Sequence, residues 1–109
     1  MNLNQYQREA QKTAIYPNIG KNIQYPTLGL CGEAGEIANK VKKIQRDDNN
    51  KLTQYRYEQL VNELGDVLWY LAMISTELNV PLDHIAALNL KKLNSRKERG
   101  KLKGQGDKR

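Results

Sequence analysis

The residues in this chain best suited to chemistry form two short acidic patterns, Glu33-Ala34-Gly35-Glu36 and Glu63-Leu64-Gly65-Asp66. Each reads acid, any residue, glycine, acid, and each is followed by a β-branched residue, Ile37 or Val67. Both fall among apolar residues at helical spacing. Glycine and paired like charges each weaken a helix, so the same departures at two places point to a site that needs concentrated negative charge. Carboxylates with no His pair or second Cys nearby suit a hard divalent cation, Mg²⁺ or Mn²⁺, better than zinc. Phosphoryl and nucleotidyl chemistry needs such a cation and a positioned water, because charge on the phosphate oxygens must be neutralised.

Other candidates lie downstream. Lys92 and Arg96 are four apart and share a helix face, and Asn89 joins that face three residues before Lys92. The two cations read either as solvated surface charge or as contacts to phosphate oxygens. Asn89 reads as a residue that orients a ligand or makes a packing contact. Tyr70 follows Asp66 by four and falls on the acidic flank, where it could meet a base or a metal ligand, or leave its hydroxyl in water. Trp69 falls away from the acids, at a position that suits a subunit interface. Lys40 follows Glu36 by four and reads as its intrahelical ion-pair partner. His84 and Cys31 lack partners for metal or nucleophilic chemistry, and Cys31 reads as a small packing residue.

Helices must position these groups. Apolar periodicity predicts four of them, at about residues 3–14, 27–46, 53–78 and 81–99, and no strand of comparable strength. Tyr16-Pro17-Asn18-Ile19-Gly20 breaks the chain after the first. The second begins just after Pro26 and carries an apolar stripe of Leu30, Ala34, Ile37, Val41 and Ile44. Thr53 caps the third, whose stripe is Leu60, Leu64, Val67, Leu71, Ile74 and Leu78. Asn79 suits its stop, Pro81 suits the first turn of the fourth, and Gly100 suits the end of that helix.

At about 100° per residue, Glu33 and Glu63 fall near 300° from Leu30 and Leu60, and Glu36 and Asp66 near 240°. Helices joined by a short turn pack antiparallel, and the midpoint between the acidic pairs is Asn49/Asn50, the turn itself. All four carboxylates are therefore expected at one level on one side of a central hairpin. Crowded there, they require raised pKa values or a bound cation. Gly35 and Gly65 share a phase off the acidic flank, which assigns them to close approach of another helix or subunit.

The 109 residues suit one domain with a modest core. Only 6% are aromatic while Leu, Ile, Ala, Lys and Glu abound, which favours an all-α fold. Cys31 is the only cysteine, so no intrachain disulfide forms and a cytoplasmic setting is expected. No signal peptide and no membrane span is evident. The charge of +6 is uneven. Residues 91–109 hold nine Lys/Arg against two acids, a net of +7, whereas residues 1–90 hold nine against ten, a net of −1. Such asymmetry suggests an anionic partner or ligand at that end. Residues 101–109, rich in Gly and Lys, read as a mobile tail on a helical domain of residues 1–100, or as a segment that folds over a bound anion. A competing reading is a small basic nucleic-acid-binding or adaptor protein. Against it, neither a recognition helix nor an aromatic platform is evident, and convergent acids repel a phosphate backbone.

Gly32-Glu33-Ala34-Gly35-Glu36 followed by Glu63-Leu64-Gly65-Asp66 resembles the ExxE…ExxD signature of the MazG-like nucleotide pyrophosphohydrolases, of the all-α nucleoside triphosphate pyrophosphatase superfamily. That family often carries a further acid before the first pair, where this chain has Gly32. Asn89-x-x-Lys92-Leu93-x-x-Arg96 resembles the family's fourth helix, and the tail is similar to that of some short members. The resemblance covers roughly residues 27–99. It implies Mg²⁺-dependent hydrolysis of an NTP or dNTP to monophosphate and pyrophosphate, with a metal-activated water attacking between the α and β phosphates. It implies Glu33, Glu36, Glu63 and Asp66 as metal ligands and catalytic residues. It also implies phosphate contacts from Lys92, Arg96 and Asn89, and a homodimer or homotetramer with sites near subunit contacts.

Overall fold

The computed structural model describes residues 1–109. It contains four helices and no strand: α1 (Leu3–Gln11), α2 (Gln24–Asp47), α3 (Gln54–Glu77) and α4 (Leu82–Glu98). The expected all-α architecture is therefore present, with boundaries that shift in two places. α2 begins at Gln24 because Pro26 sits inside its first turn, where a missing N–H forfeits no helical bond. α1 ends at Gln11 rather than Ala14, because the N–H groups of Lys12, Thr13 and Ala14 bond to carbonyls three residues back and tighten the chain into turns. The stops and caps read from single residues hold. Thr53 Oγ1 accepts the Arg56 N–H at 3.2 Å, and Asn79 and Gly100 leave their helices with φ of 56° and 67°.

α2 and α3 form an antiparallel hairpin. Their contacts run from Arg56–Asp48 beside the bend (3.0 Å), through Lys40–Glu63 (2.8 Å), to Gly29 against Tyr70 at the far end. The bend turns through Asn49 and Asn50 at φ 54° and 58°, a left-handed conformation that Asn tolerates better than most residues.

α1 lies across the other side of α3. Ala10, Tyr16, Ala72, Met73 and Leu82 form the small core there, with Tyr6, Ala14 and Trp69 packed around it. Trp69 is therefore partly covered within the protomer. It sits on the α1 side of α3 and donates its Nε1–H to Thr13 Oγ1 at 2.8 Å. Residues of α1 also cap α4: Gln7 Oε1 accepts the Leu82 N–H at 2.7 Å and Asn4 Oδ1 accepts the Asp83 N–H at 3.0 Å. α4 accordingly packs on α1 and scarcely touches α2 or α3. No helix is long and apolar enough to cross a membrane.

Residues 101–109 fold back on the end of α4 instead of trailing away. Arg96 Nη2 donates to the Asp107 carbonyl at 2.7 Å and Arg99 Nη2 to the Arg109 carbonyl at 2.8 Å. Arg109 bonds the carbonyls of Lys101, Leu102 and Gly106 at 2.7–3.0 Å. Guanidinium forks with several donors each organise this loop, so apolar periodicity carries no trace of it.

Candidate carboxylate metal site

The hairpin places Glu33 of α2 opposite Asp66 of α3, with Glu63 one turn before Asp66 on the same face. One carboxylate oxygen from each lies within 4.8 Å of the other two. Three convergent carboxylates without thiol or imidazole fit a hard divalent cation of the Mg²⁺ or Mn²⁺ type. Glu36 stands at the edge of this group, with 55% of its side chain exposed. Lys40 ties it in: the ammonium lies 2.8 Å from Glu63 Oε1 and 3.6 Å from Glu36 Oε2. Three of the four expected acids are thus brought together, and the fourth shares their counter-ion.

Lys40 was expected to pair with Glu36 along one helix. Its shorter contact is to Glu63, across the hairpin, in a pair whose side chains are 17% and 16% exposed. The charges respond accordingly. Burial pushes the Glu33 carboxyl up, helped by its hydrogen bond with Glu63 and by the charges of Asp66, Glu63 and Glu36. The Lys40 hydrogen bond holds Glu63 below the usual carboxylate range despite burial, and Glu63 in turn raises Lys40. The cluster concentrates more negative charge than one ammonium offsets.

Aromatic rings adjoin the acids. Tyr70 is half-buried beside Gly29, where any Cβ would overlap the Tyr70 ring. Its hydroxyl is raised by burial, then by Tyr25, Glu33 and Asp66. Trp69 meets Tyr70 edge-on at 5.1 Å, Tyr25 lies 6.5 Å from it, and Tyr16 stacks on Tyr25 at 4.8 Å. Glu77 anchors the outer end of this row. Its Oε1 accepts from Tyr16 Oη at 3.2 Å and from the backbone N–H groups of Gly20 and Asn22 at 3.0 and 3.1 Å. From α1, Tyr6 is raised by burial and by the charge of Asp66.

Gly29, Tyr6 and Glu77 escaped the sequence reading. Gly29 carried a signal, because Gly29 and Tyr70 each stand four residues beyond an acid, Glu33 and Asp66, on the side away from the bend. The register that pairs those acids pairs Gly29 with Tyr70. Glu77 carried none, since its role depends on how the α1–α2 connection folds. Gly35 and Gly65 do not serve close approach within the chain: no neighbouring atom lies within 4 Å of a Cβ built at either. That role falls to Gly29.

The candidate phosphate ligands lie apart from the acids. Asn89 and Lys92 are exposed on α4, beside Ile85 and Leu88 in a shallow groove of about 300 Å³. Arg96 is 4% exposed, beneath the C-terminal loop. One protomer does not carry these three residues to the carboxylates, because α4 is fastened to α1. His84 and Cys31 are both exposed, away from the carboxylate group.

Comparison with known proteins bears on the same elements. The chain is 49% identical, over 114 aligned residues that take in the whole of both chains, to the Gene 37 protein of Mycobacterium phage L5. No solved structure matches it. Residues 22–100 match the MazG nucleotide pyrophosphohydrolase domain. That span opens just ahead of α2, closes just past α4 and contains every carboxylate of the cluster, and on this ground the chain belongs to the MazG nucleotide pyrophosphohydrolase family.

Proposed function

We propose that the protein hydrolyses a nucleoside triphosphate, ribo or deoxyribo, to the monophosphate and pyrophosphate, with Mg²⁺ held by Glu33, Glu63 and Asp66. The observation that carries this reading is the approach of those three carboxylates to within 4.8 Å across two helices. Family membership supports cleavage of a nucleotide pyrophosphate bond. Bound there, the cation would neutralise phosphate oxygens and lower the pKa of a coordinated water. Glu36, at the edge of the group, is the carboxylate left to orient that water or take its proton through Oε2. Tyr70 and Tyr25 offer an aromatic wall beside the acids for the base.

Lys92, Asn89 and Arg96 are proposed to meet the phosphates that leave, and they do so from a second copy of the chain in a homodimer or homotetramer. The protomer's shape supports association. Its radius of gyration is 16.9 Å, against about 13 Å for a compact chain of this length. It exposes 8109 Å², against about 6,200 Å² for a compact monomer of this mass. Residues of the α2, α3 and α4 stripes that one protomer leaves uncovered include Val41, Leu64, Leu71, Leu78 and Leu90.

The test is incubation with a panel of triphosphates and Mg²⁺, with separation of products. Monophosphate plus pyrophosphate is expected, lost in Glu36→Gln, in Asp66→Asn and on chelation. Release of diphosphate and phosphate, or no turnover of any nucleotide, would refute the activity. A single-chain mass by light scattering would refute the shared site.

A further inference from the structure

The guanidinium of Arg96 is nearly removed from water, yet it is poorly matched. Only 4% of the residue is exposed. Nη2 donates to the carbonyl of Asp107 at 2.7 Å and reaches that of Gly106 at 3.5 Å. Nε is buried and has no partner. The anion that faces this cation is the Asp107 carboxylate, with Oδ1 3.7 Å from Arg96 Nη2 and 3.5 Å from Lys92 Nζ. That side chain is 90% exposed. A buried cation is stable when an anion and acceptors satisfy all its donors. Arg96 has neutral carbonyls, an idle Nε–H and a carboxylate well beyond the roughly 2.7–2.9 Å of a charge-assisted bond. Two cations thus share one loosely held carboxylate.

We propose that Lys92 and Arg96 form a polyphosphate site whose resident anion in the free chain is Asp107. Pyrophosphate, or the terminal phosphates of a triphosphate, replaces that carboxylate and lifts the 101–109 loop off α4. The proposal rests on the reading above, in which phosphates reach α4. A phosphate group brings more charge than a carboxylate and enough oxygens to engage the Arg96 fork, including Nε, together with Lys92. The loop is built to leave as a unit. Arg109 closes it internally on the carbonyls of Lys101, Leu102 and Gly106. Besides those of Arg96, its hydrogen bonds to the helix end are from Arg99 to the Arg109 carbonyl and from the Lys101 N–H to the Arg96 carbonyl. Gly100, at φ 67°, joins it to the helix as a pivot. The free chain therefore carries its own competitor for the phosphate site.

The experiment follows amide hydrogen exchange across residues 101–109 of the full chain, with tryptic cleavage at Lys101 and Lys103 as a second readout. Mg²⁺ with inorganic pyrophosphate is the probe, and NaCl at matched ionic strength the control. Pyrophosphate is expected to quicken exchange and cleavage in the loop, whereas NaCl is not. Asp107→Asn, which keeps the backbone bonds, is expected to quicken exchange without ligand. It should also bind pyrophosphate about threefold more tightly, the scale of release from an exposed ion pair. Loop exchange that pyrophosphate leaves unchanged or slows, or an Asp107→Asn chain that binds it no more tightly, would overturn the proposal. Inorganic pyrophosphate needs no turnover, so the two readings fail separately. A chain that hydrolyses nothing yet opens its loop loses the activity alone, and one that hydrolyses triphosphates with a silent loop loses the displacement alone.

Discussion

The α2/α3 hairpin and the α4 arm with its loop solve opposite problems. In the hairpin, like charges are pressed together and one ammonium, Lys40, partly relieves them. In the arm, cations are pressed together and Asp107 partly relieves them. The hairpin is long, continuously packed and pinned by a ring set against a glycine. The arm is held only at its base, by Leu82 in the small core and by hydrogen bonds to Asn4 and Gln7. Each region holds an imperfectly compensated charge, negative in the hairpin and positive in the arm, and under the proposed function a phosphate with its metal would satisfy both. The acids sit on a packed hairpin, and the proposed loop displacement would make the placement of the cations adjustable.

The largest expected effect tests the hairpin alone. Asp66→Asn should lower kcat/KM by more than about a hundredfold, beyond the usual loss for groups that merely support a ligand, with the fold kept by circular dichroism. Lys92→Ala should act more weakly, lowering kcat/KM about tenfold or somewhat more, as for one hydrogen bond to a charged group. Equal losses at the two positions would erase the contrast between rigid and adjustable halves. Mixing Asp66→Asn and Lys92→Ala chains should restore part of the activity if the halves meet between copies.

Stability separates two glycines next. Gly29→Ala should destabilise the chain by about 1–3 kcal/mol, because the new methyl overlaps the Tyr70 ring. Gly35→Ala, at an open helical position, should stabilise the protomer by up to about 1 kcal/mol. Urea titration measures both. An association weakened by Gly35→Ala would instead place Gly35 in a subunit seam. The smallest effect concerns the connection between α1 and α2. Burial first, and then Glu77, push Tyr16 from 10.0 to about 12. The unfolded chain loses this proton near the ordinary value while the folded chain keeps it. Stability is therefore full below about pH 10 and falls as pH rises through the interval towards about 12. Tyr16→Phe should flatten that alkaline fall in denaturant midpoint.

Helical phase and turn position made the hairpin legible in the sequence. The same arithmetic put Glu33, Glu63 and Asp66 together, because a register set by a short turn propagates rigidly along two helices. It found the Lys40–Glu36 pair (3.6 Å) and missed the shorter one to Glu63 (2.8 Å), since a four-carbon side chain reaches across helices as easily as along one. It left Trp69 bare because α1, which partly covers it, lies outside a two-helix picture. The loop at 101–109 was illegible because its order comes from Arg96, Arg99 and Arg109 gathering carbonyls, and no periodicity encodes that. The distance between α4 and the acids was hidden as well, because Asn4 and Gln7, far away in the chain, decide where α4 points.

Lys40 bears on the carboxylates through its place across the hairpin. Its ammonium offsets part of their charge without any ion, so under the proposed function a chelator should end the activity without unfolding the chain. Under the proposed function it would also set a threshold for what enters. A monovalent ion would offer no more charge than Lys40 already supplies at Glu63. A doubly charged ion would improve on the resident ammonium, and a single lysine would then make the hairpin discriminate by valence.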